Sequence, residues 1–214
     1  ATGSHRLEGT PEMTSDVQVL VHRGPDIAEW FDAVAGLRAS VFRSFPYLYE
    51  GDTEYEKHYL AMYARSADSL LVLALADDVV VGASTGLPLG DAEPAFQVPF
   101  ADRGIPMEAV FYCGESVLLP AFRGLGLGHR FFDEREAHAR SLGGMQWTSF
   151  ASVDRADDDP RRPSNYRSND PFWIRRGYVR QSDMKVTLPW KQVGEPSETE
   201  QTLTMWLRSL ENAK

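Results

Sequence analysis

The residues whose types and spacing could do chemistry lie mid-chain, in Leu118-Leu119-Pro120-Ala121-Phe122-Arg123-Gly124-Leu125-Gly126-Leu127-Gly128. An apolar stretch ends at Pro120, and glycines at every second position lead into a helical pattern. Glycine admits positive φ and, lacking Cβ, lets a ligand approach the main chain closely. Unpaired N–H groups at a helix start, together with the positive end of the helix dipole, favour phosphate. Successive N–H groups of such a loop form an anion-binding nest. The chemistry predicted is pyrophosphate binding. A Walker loop is excluded because no Lys-Ser/Thr follows, and the dinucleotide fingerprint fails because His129 stands where its last glycine belongs.

Glu115 is a lone carboxylate inside the apolar run Val110 to Leu119. Burial there would favour its neutral form and make it a stronger general base. Pairing with a basic residue, or a place at the strand edge, is the alternative. Cys113, the single cysteine, sits in the same run. It allows no internal disulfide and no cysteine metal site, and it reads as a small buried hydrophobe rather than a nucleophile. His22, His58, His129 and His138 have no metal-ligand spacing to a second donor, so no metal is expected.

These residues need elements to position them. Val17 to Val21 reads as a strand, and Ile27, Trp30, Phe31, Val34, Leu37, Val41 and Phe42 make one apolar helix face. Phe45 to Asp52 is an aromatic loop containing Tyr47 and Tyr49, and Tyr55 to Ala64 resumes helical spacing. Leu70 to Ala76 and Val79 to Ala83 form a hairpin across Asp77-Asp78. Gly90 to Pro106 reads as a connection with one short helix, and Ala109 to Leu119 as a single central strand. Gly126 to Leu142 is a helix stopped by Gly143-Gly144, followed by a strand from Met145 to Val153. Asp154 to Asp170 is nearly devoid of apolar residues and is expected to be a mobile or disordered loop. A short helix from Pro171 to Arg176 stops at Gly177, and Tyr178 to Trp190 and Gln201 to Leu210 are closing strands. The alternation predicts a single α/β domain with a mixed sheet.

The chain has 214 residues, enough to bury a core without disulfides or metal. A net charge of −9 disfavours a nucleic-acid partner. The longest apolar run, Leu70 to Ala76, is too short for a membrane helix. A cytoplasmic location is the expectation. Residues 1–12 read as an expression-tag remnant ahead of a domain from 13 to 214.

The run Pro120-x-x-Arg123-Gly124-x-Gly126-x-Gly128 resembles motif A of the GNAT acyltransferases, and the order of elements is similar to that fold. The resemblance implies a GNAT-type single domain, with a mixed, mostly antiparallel sheet flanked by helices. It implies acetyl-CoA or another acyl-CoA as cosubstrate, its pyrophosphate held by Arg123, Gly124, Leu125, Gly126, Leu127, Gly128 and His129. Leu118 and Leu119 would pair with the pantetheine arm where their strand splays from its neighbour, and Phe172 would pack and touch that arm. The implied reaction is direct attack of an amine on the thioester.

Deprotonating a lysine-like amine (pKa ~10.4) at pH 7 costs about 4 to 5 kcal/mol, against about 2 kcal/mol for a thiol of pKa ~8.5. A general base therefore matters more than a general acid. The resemblance gives that role to Glu115. It weakens at Phe172-Trp173-Ile174-Arg175-Arg176-Gly177-Tyr178, where tryptophan replaces the family's tyrosine. Either thiolate leaves unassisted, or Tyr166 or another group substitutes. Tyr47 and Tyr49 lie where the family shapes its acceptor site, for a small-molecule or peptide amine. The closing strands offer a homodimer interface. A non-catalytic CoA-binding or sensing module with the same fold is the alternative.

Overall fold

A computed structural model describes residues 16–211, so the proposed tag remnant lies outside the described residues. The strands are β1 (Val17–Arg23), β2 (Leu70–Ala76), β3 (Val79–Pro88), β4 (Val110–Tyr112), β5 (Ser116–Leu118), β6 (Trp147–Val153), β7 (Val179–Lys191) and β8 (Glu198–Ser209). The helices are α1 (Phe31–Phe42), α2 (Thr53–Arg65), α3 (Pro94–Asp102), α4 (Leu127–Ser141) and α5 (Asp170–Arg175). The sheet order is β1-β2-β3-β4-β6-β8-β7, with β5 also on β3. β4 and β6 run parallel, and the other pairs are antiparallel.

The β2 sequence Leu-Leu-Val-Leu-Ala-Leu-Ala is buried throughout because both sheet faces are covered. Leu71, Leu73 and Leu75 face a core shared with α1, α2 and α3. Leu70, Val72 and Ala74 face a second core made with α4 and the aromatics of α5. The Asp77-Asp78 turn has both residues at positive φ, which suits a two-residue hairpin.

Two expectations are corrected. The helical pattern from Ile27 to Phe42 divides into a 3-10 turn, Gly24–Trp30, and α1. The single strand expected over Ala109 to Leu119 is interrupted. Gly114 and Glu115 both lie opposite Thr85, the Gly114 N–H donating to the Thr85 carbonyl (3.2 Å) and the Thr85 N–H to the Glu115 carbonyl (3.0 Å). This β-bulge inserts one extra residue against β3 and reverses the side-chain alternation beyond it.

Candidate active site

The glycine loop follows directly from β5. Leu119 donates its N–H to the Val81 carbonyl (2.9 Å), and Pro120–Phe122 makes one 3-10 turn. The Arg123 side chain turns back, its Nε donating to the Leu118 carbonyl (3.2 Å). Gly124 and Gly126 have φ of 81° and 82°, which is left-handed backbone that other residues adopt only at a cost. Gly126 caps α4, and its carbonyl accepts from the Arg130 N–H (3.2 Å). Among the described residues, no backbone carbonyl accepts from the N–H groups of residues 124 to 129. A Cβ added at Gly124 or Gly126 would meet no atom within 4 Å. Glycine is therefore required here by backbone shape, and the space before the loop is open. These features fit a pyrophosphate.

Gly128 has neither constraint: a Cβ there would make only an ordinary contact, 3.6 Å from Phe172. Phe172 packs edge-on against His129 (4.8 Å) and Phe132 (5.5 Å) at the start of α4. Leu125 is exposed and Leu127 is buried in the α4 core. His129 Nδ1 lies 3.2 Å from an Arg176 guanidinium nitrogen.

β5 is bonded to β3 on one side only. β6, which pairs with β8 along its whole length, stays with β4 only as far as the Cys113 N–H to Ser149 carbonyl bond (2.7 Å). Because Leu119 bonds to Val81, the antiparallel alternation turns the N–H groups of Ser116 and Leu118 away from β3, toward this gap. A strand whose Ser116 and Leu118 N–H groups are not taken by β3 thus lies beside an open glycine loop.

The bulge decides where Glu115 points. Phe111 and Cys113 face the α4 core, and a regular strand would send Glu115 the same way. The extra residue turns it, with Val117, toward α1 and α2. The carboxylate is not the lone group read from the sequence. Its Oε2 pairs with Arg38 Nη1 (2.6 Å) and accepts from the Tyr59 hydroxyl (3.4 Å), whereas its Oε1 is buried with no partner. Arg38 also pairs with Glu56, which is fully buried. The guanidinium carbon lies over the rings of Phe42 (5.0 Å) and Tyr59 (4.4 Å). On the opposite face, buried Arg135 of α4 donates to the Glu115 carbonyl (3.3 Å).

Sequence reading missed Arg38 and Glu56. Their signal was present: each is a charged residue at helical spacing within an apolar face, Arg38 between Val34 and Phe42 and Glu56 four before Leu60.

Tyr47 packs against Phe42 (4.6 Å) and Trp190 (6.3 Å). Burial, then the nearby Glu115 carboxylate, push its phenol up to about 12. Tyr166 packs edge-on against Phe45 (4.7 Å) beneath the Arg162 guanidinium (5.3 Å), and burial and then Asp170 raise its phenol. Tyr49 sits at the other end of the cluster, raised by burial and by Glu56. Tyr47 is therefore near both Glu115 and Tyr166, and Tyr49 is near Glu56.

The segment 154–170 differs from the expected loose loop. Asp154 accepts from Arg180 (2.6 Å), Lys185 (2.7 Å) and Thr204 (2.8 Å). Arg155 donates to the carbonyls of Pro46 (2.6 Å) and Tyr47 (2.9 Å) and to Gln201 (3.1 Å). Its charged residues tie it to the sheet and to the aromatic loop, together with the packing of Tyr166 on Phe45. Trp173 packs against Phe150 (4.9 Å) and Trp206 (5.2 Å) in the α4 core. Cys113 is fully buried, and burial raises its thiol. His138 is likewise structural, its Nε2 2.8 Å from the Asp68 carbonyl.

The fold is similar to solved GNAT structures. A ribosomal-protein-alanine N-acetyltransferase from Brucella melitensis is 12% identical (TM-score 0.57), covering 89% of this chain and 99% of that one. An N-acetyltransferase from Staphylococcus aureus is 10% identical (TM-score 0.56), covering 90% and 99%. A GNAT-like decarboxylase, GphF, in complex with isobutyryl-CoA is 14% identical (TM-score 0.56), also covering 90% and 99%. At such identity these show the fold alone. None of the curated proteins compared with this sequence matches it. The model of the family described as Acetyltransferase (GNAT) family matches residues 34–159, a span that runs from α1 through the bulge, the glycine loop, α4 and β6. With that match over more than half its length, the chain belongs to the GNAT acetyltransferase family.

Proposed function

We propose that this protein is an acyl-CoA-dependent N-acyltransferase, with acetyl-CoA as the expected donor and an amine as acceptor. The observation that carries the reading is the run of unbonded N–H groups from Gly124 to His129 at the end of a strand whose own N–H groups face a gap. Those N–H groups would hold the pyrophosphate, and the Ser116 and Leu118 main chain would align the pantetheine arm and thioester. The bound acyl-CoA supplies an activated acyl group, whose transfer makes an amide and releases a thiol. Glu115 Oε1, buried and unpartnered, takes the proton that the amine nitrogen sheds. Tyr166, and Tyr47 beside it, keep their phenolic protons and are the donors available to the departing sulfur.

The second reading is a non-catalytic CoA-binding module. Trp173, packed in the core where the family places a tyrosine, favours it.

The test is thiol release from acetyl-CoA with a panel of amines, comparing the parent with Glu115→Gln. Release by the parent, reduced about 10²- to 10⁴-fold in the variant, is the expected result for a general base. CoA binding without release for any amine of the panel would favour the module. Release that Glu115→Gln leaves intact would remove the base assignment.

A further inference from the structure

Glu115 is held from three directions. Its carbonyl accepts from the Thr85 N–H (3.0 Å), the Ser84 hydroxyl (3.1 Å) and Arg135 Nη1 (3.3 Å), which leaves its main chain little freedom at the bulge. The side chain then has one strong partner, Arg38, across the α1 interface. Arg38 cannot follow Glu115 freely, because its Nε is bound to Glu56 of α2 and its guanidinium packs on the rings of Phe42 and Tyr59. A planar guanidinium with a forked donor set can meet two carboxylates at once on different edges, which an ammonium cannot do with the same geometry. The result is an asymmetric carboxylate, with Oε2 pinned and Oε1 buried without a partner. Beside it stand Tyr59 of α2, whose hydroxyl lies 3.2 Å from that of Tyr63, and Thr85 of β3, whose hydroxyl accepts from the Glu115 N–H (3.3 Å).

From this arrangement we infer that Arg38, braced by Glu56, is the positioning residue that fixes the direction of the Glu115 carboxylate and so presents Oε1 to the acceptor amine. The inference rests on the base role proposed for Glu115. Arg38 touches neither the phosphate loop nor the β5 gap, so its effect on rate runs through Glu115 alone.

A double-mutant cycle on amine-dependent thiol release tests this, with CoA binding measured by calorimetry on every variant. Arg38→Met lowers kcat about 10²-fold, the loss expected when a reacting group is misplaced by an ångström. CoA affinity is unchanged. Arg38→Met combined with Glu115→Gln is no slower than Glu115→Gln alone, because groups that act as a unit are not additive. A general loss of structure would instead add to the Glu115→Gln defect and weaken CoA binding. Arg38→Met leaves two buried carboxylates facing each other and can fail to fold. Arg38→Lys keeps the charge while losing the fork, and is expected to bind CoA normally with an intermediate kcat. Should Glu115→Gln slow the reaction while Arg38→Lys and Arg38→Met match the parent in kcat, the positioning role is overturned and the base role stands. Should Glu115→Gln itself keep the parental rate, both fall together.

Discussion

Replacing Gly114 with alanine probes the bulge that aims Glu115. Gly114 does not have a positive φ, so alanine is allowed by its backbone and crowding alone demands glycine. An added Cβ would lie 1.8 Å from the Tyr63 hydroxyl oxygen and 2.8 Å from Thr85 Oγ1. The first separation must open to at least 3.0 Å, and Tyr63 is fully buried. Overpacking of this kind costs about 1–3 kcal/mol. For a chain of 214 residues, that lowers Tm by roughly 2–12 °C. Part of the strain relaxes by shifting the bulge, so kcat falls by about 10²-fold, as expected for ångström-scale misplacement of a reacting group. Thermal unfolding and thiol release read the two effects. Adding Tyr63→Phe removes the clashing oxygen and leaves the ring carbon at 3.0 Å, so much of the lost Tm returns. A Gly114→Ala protein with parental Tm and rate would refute the packing of Tyr63 on the bulge. So would a double variant with no recovery.

Two further outcomes follow from the site. All eight tyrosines have phenols raised chiefly by burial, Tyr47 to about 12. Unfolded tyrosine ionises near ~10, so the stability that burial confers is fully present below that pH and is lost as pH rises toward the folded values. Tyrosinate absorbance should therefore lag behind that of free tyrosine and then appear together with unfolding. Ionisation at ordinary pH values in a protein that stays folded would contradict this. Arg155→Met strips two donors from the Pro46 and Tyr47 carbonyls, one of which keeps only the Trp190 indole N–H at 3.3 Å. It is expected to destabilise by about 1–3 kcal/mol in urea unfolding and to raise KM for the amine without weakening CoA binding. Unchanged KM for every amine would detach this loop from acceptor binding.

Much of the fold was legible because local pattern and tertiary environment agree. β2 reads as a strand buried on both faces, α4 carries helical spacing ended by glycines, and the Asp77-Asp78 turn separates two apolar runs. The glycine turn was legible for a stronger reason: positive φ at Gly124 and Gly126 is a property of residue type. The bulge was not legible, since Ala109 to Leu119 is apolar almost throughout and periodicity cannot register one inserted residue that turns Glu115 to the other face. Its ion pair with Arg38 was hidden for the same reason. The pair joins positions 77 residues apart, and only the fold brings α1 beneath β5. The segment 154–170 misled because low apolar content also suits a loop fastened by its charges, as Asp154 and Arg155 fasten this one.

The central claim, that the glycine loop holds the pyrophosphate of a CoA thioester, is tested most directly by calorimetric titration of the folded protein with CoA, beside Gly126→Glu. One-to-one binding by the parent, abolished in a folded variant whose carboxylate projects from the cap of α4 into the open phosphate space, is the predicted result. A folded parent that takes up no CoA, or a Gly126→Glu protein that binds it as well as the parent, would contradict the account.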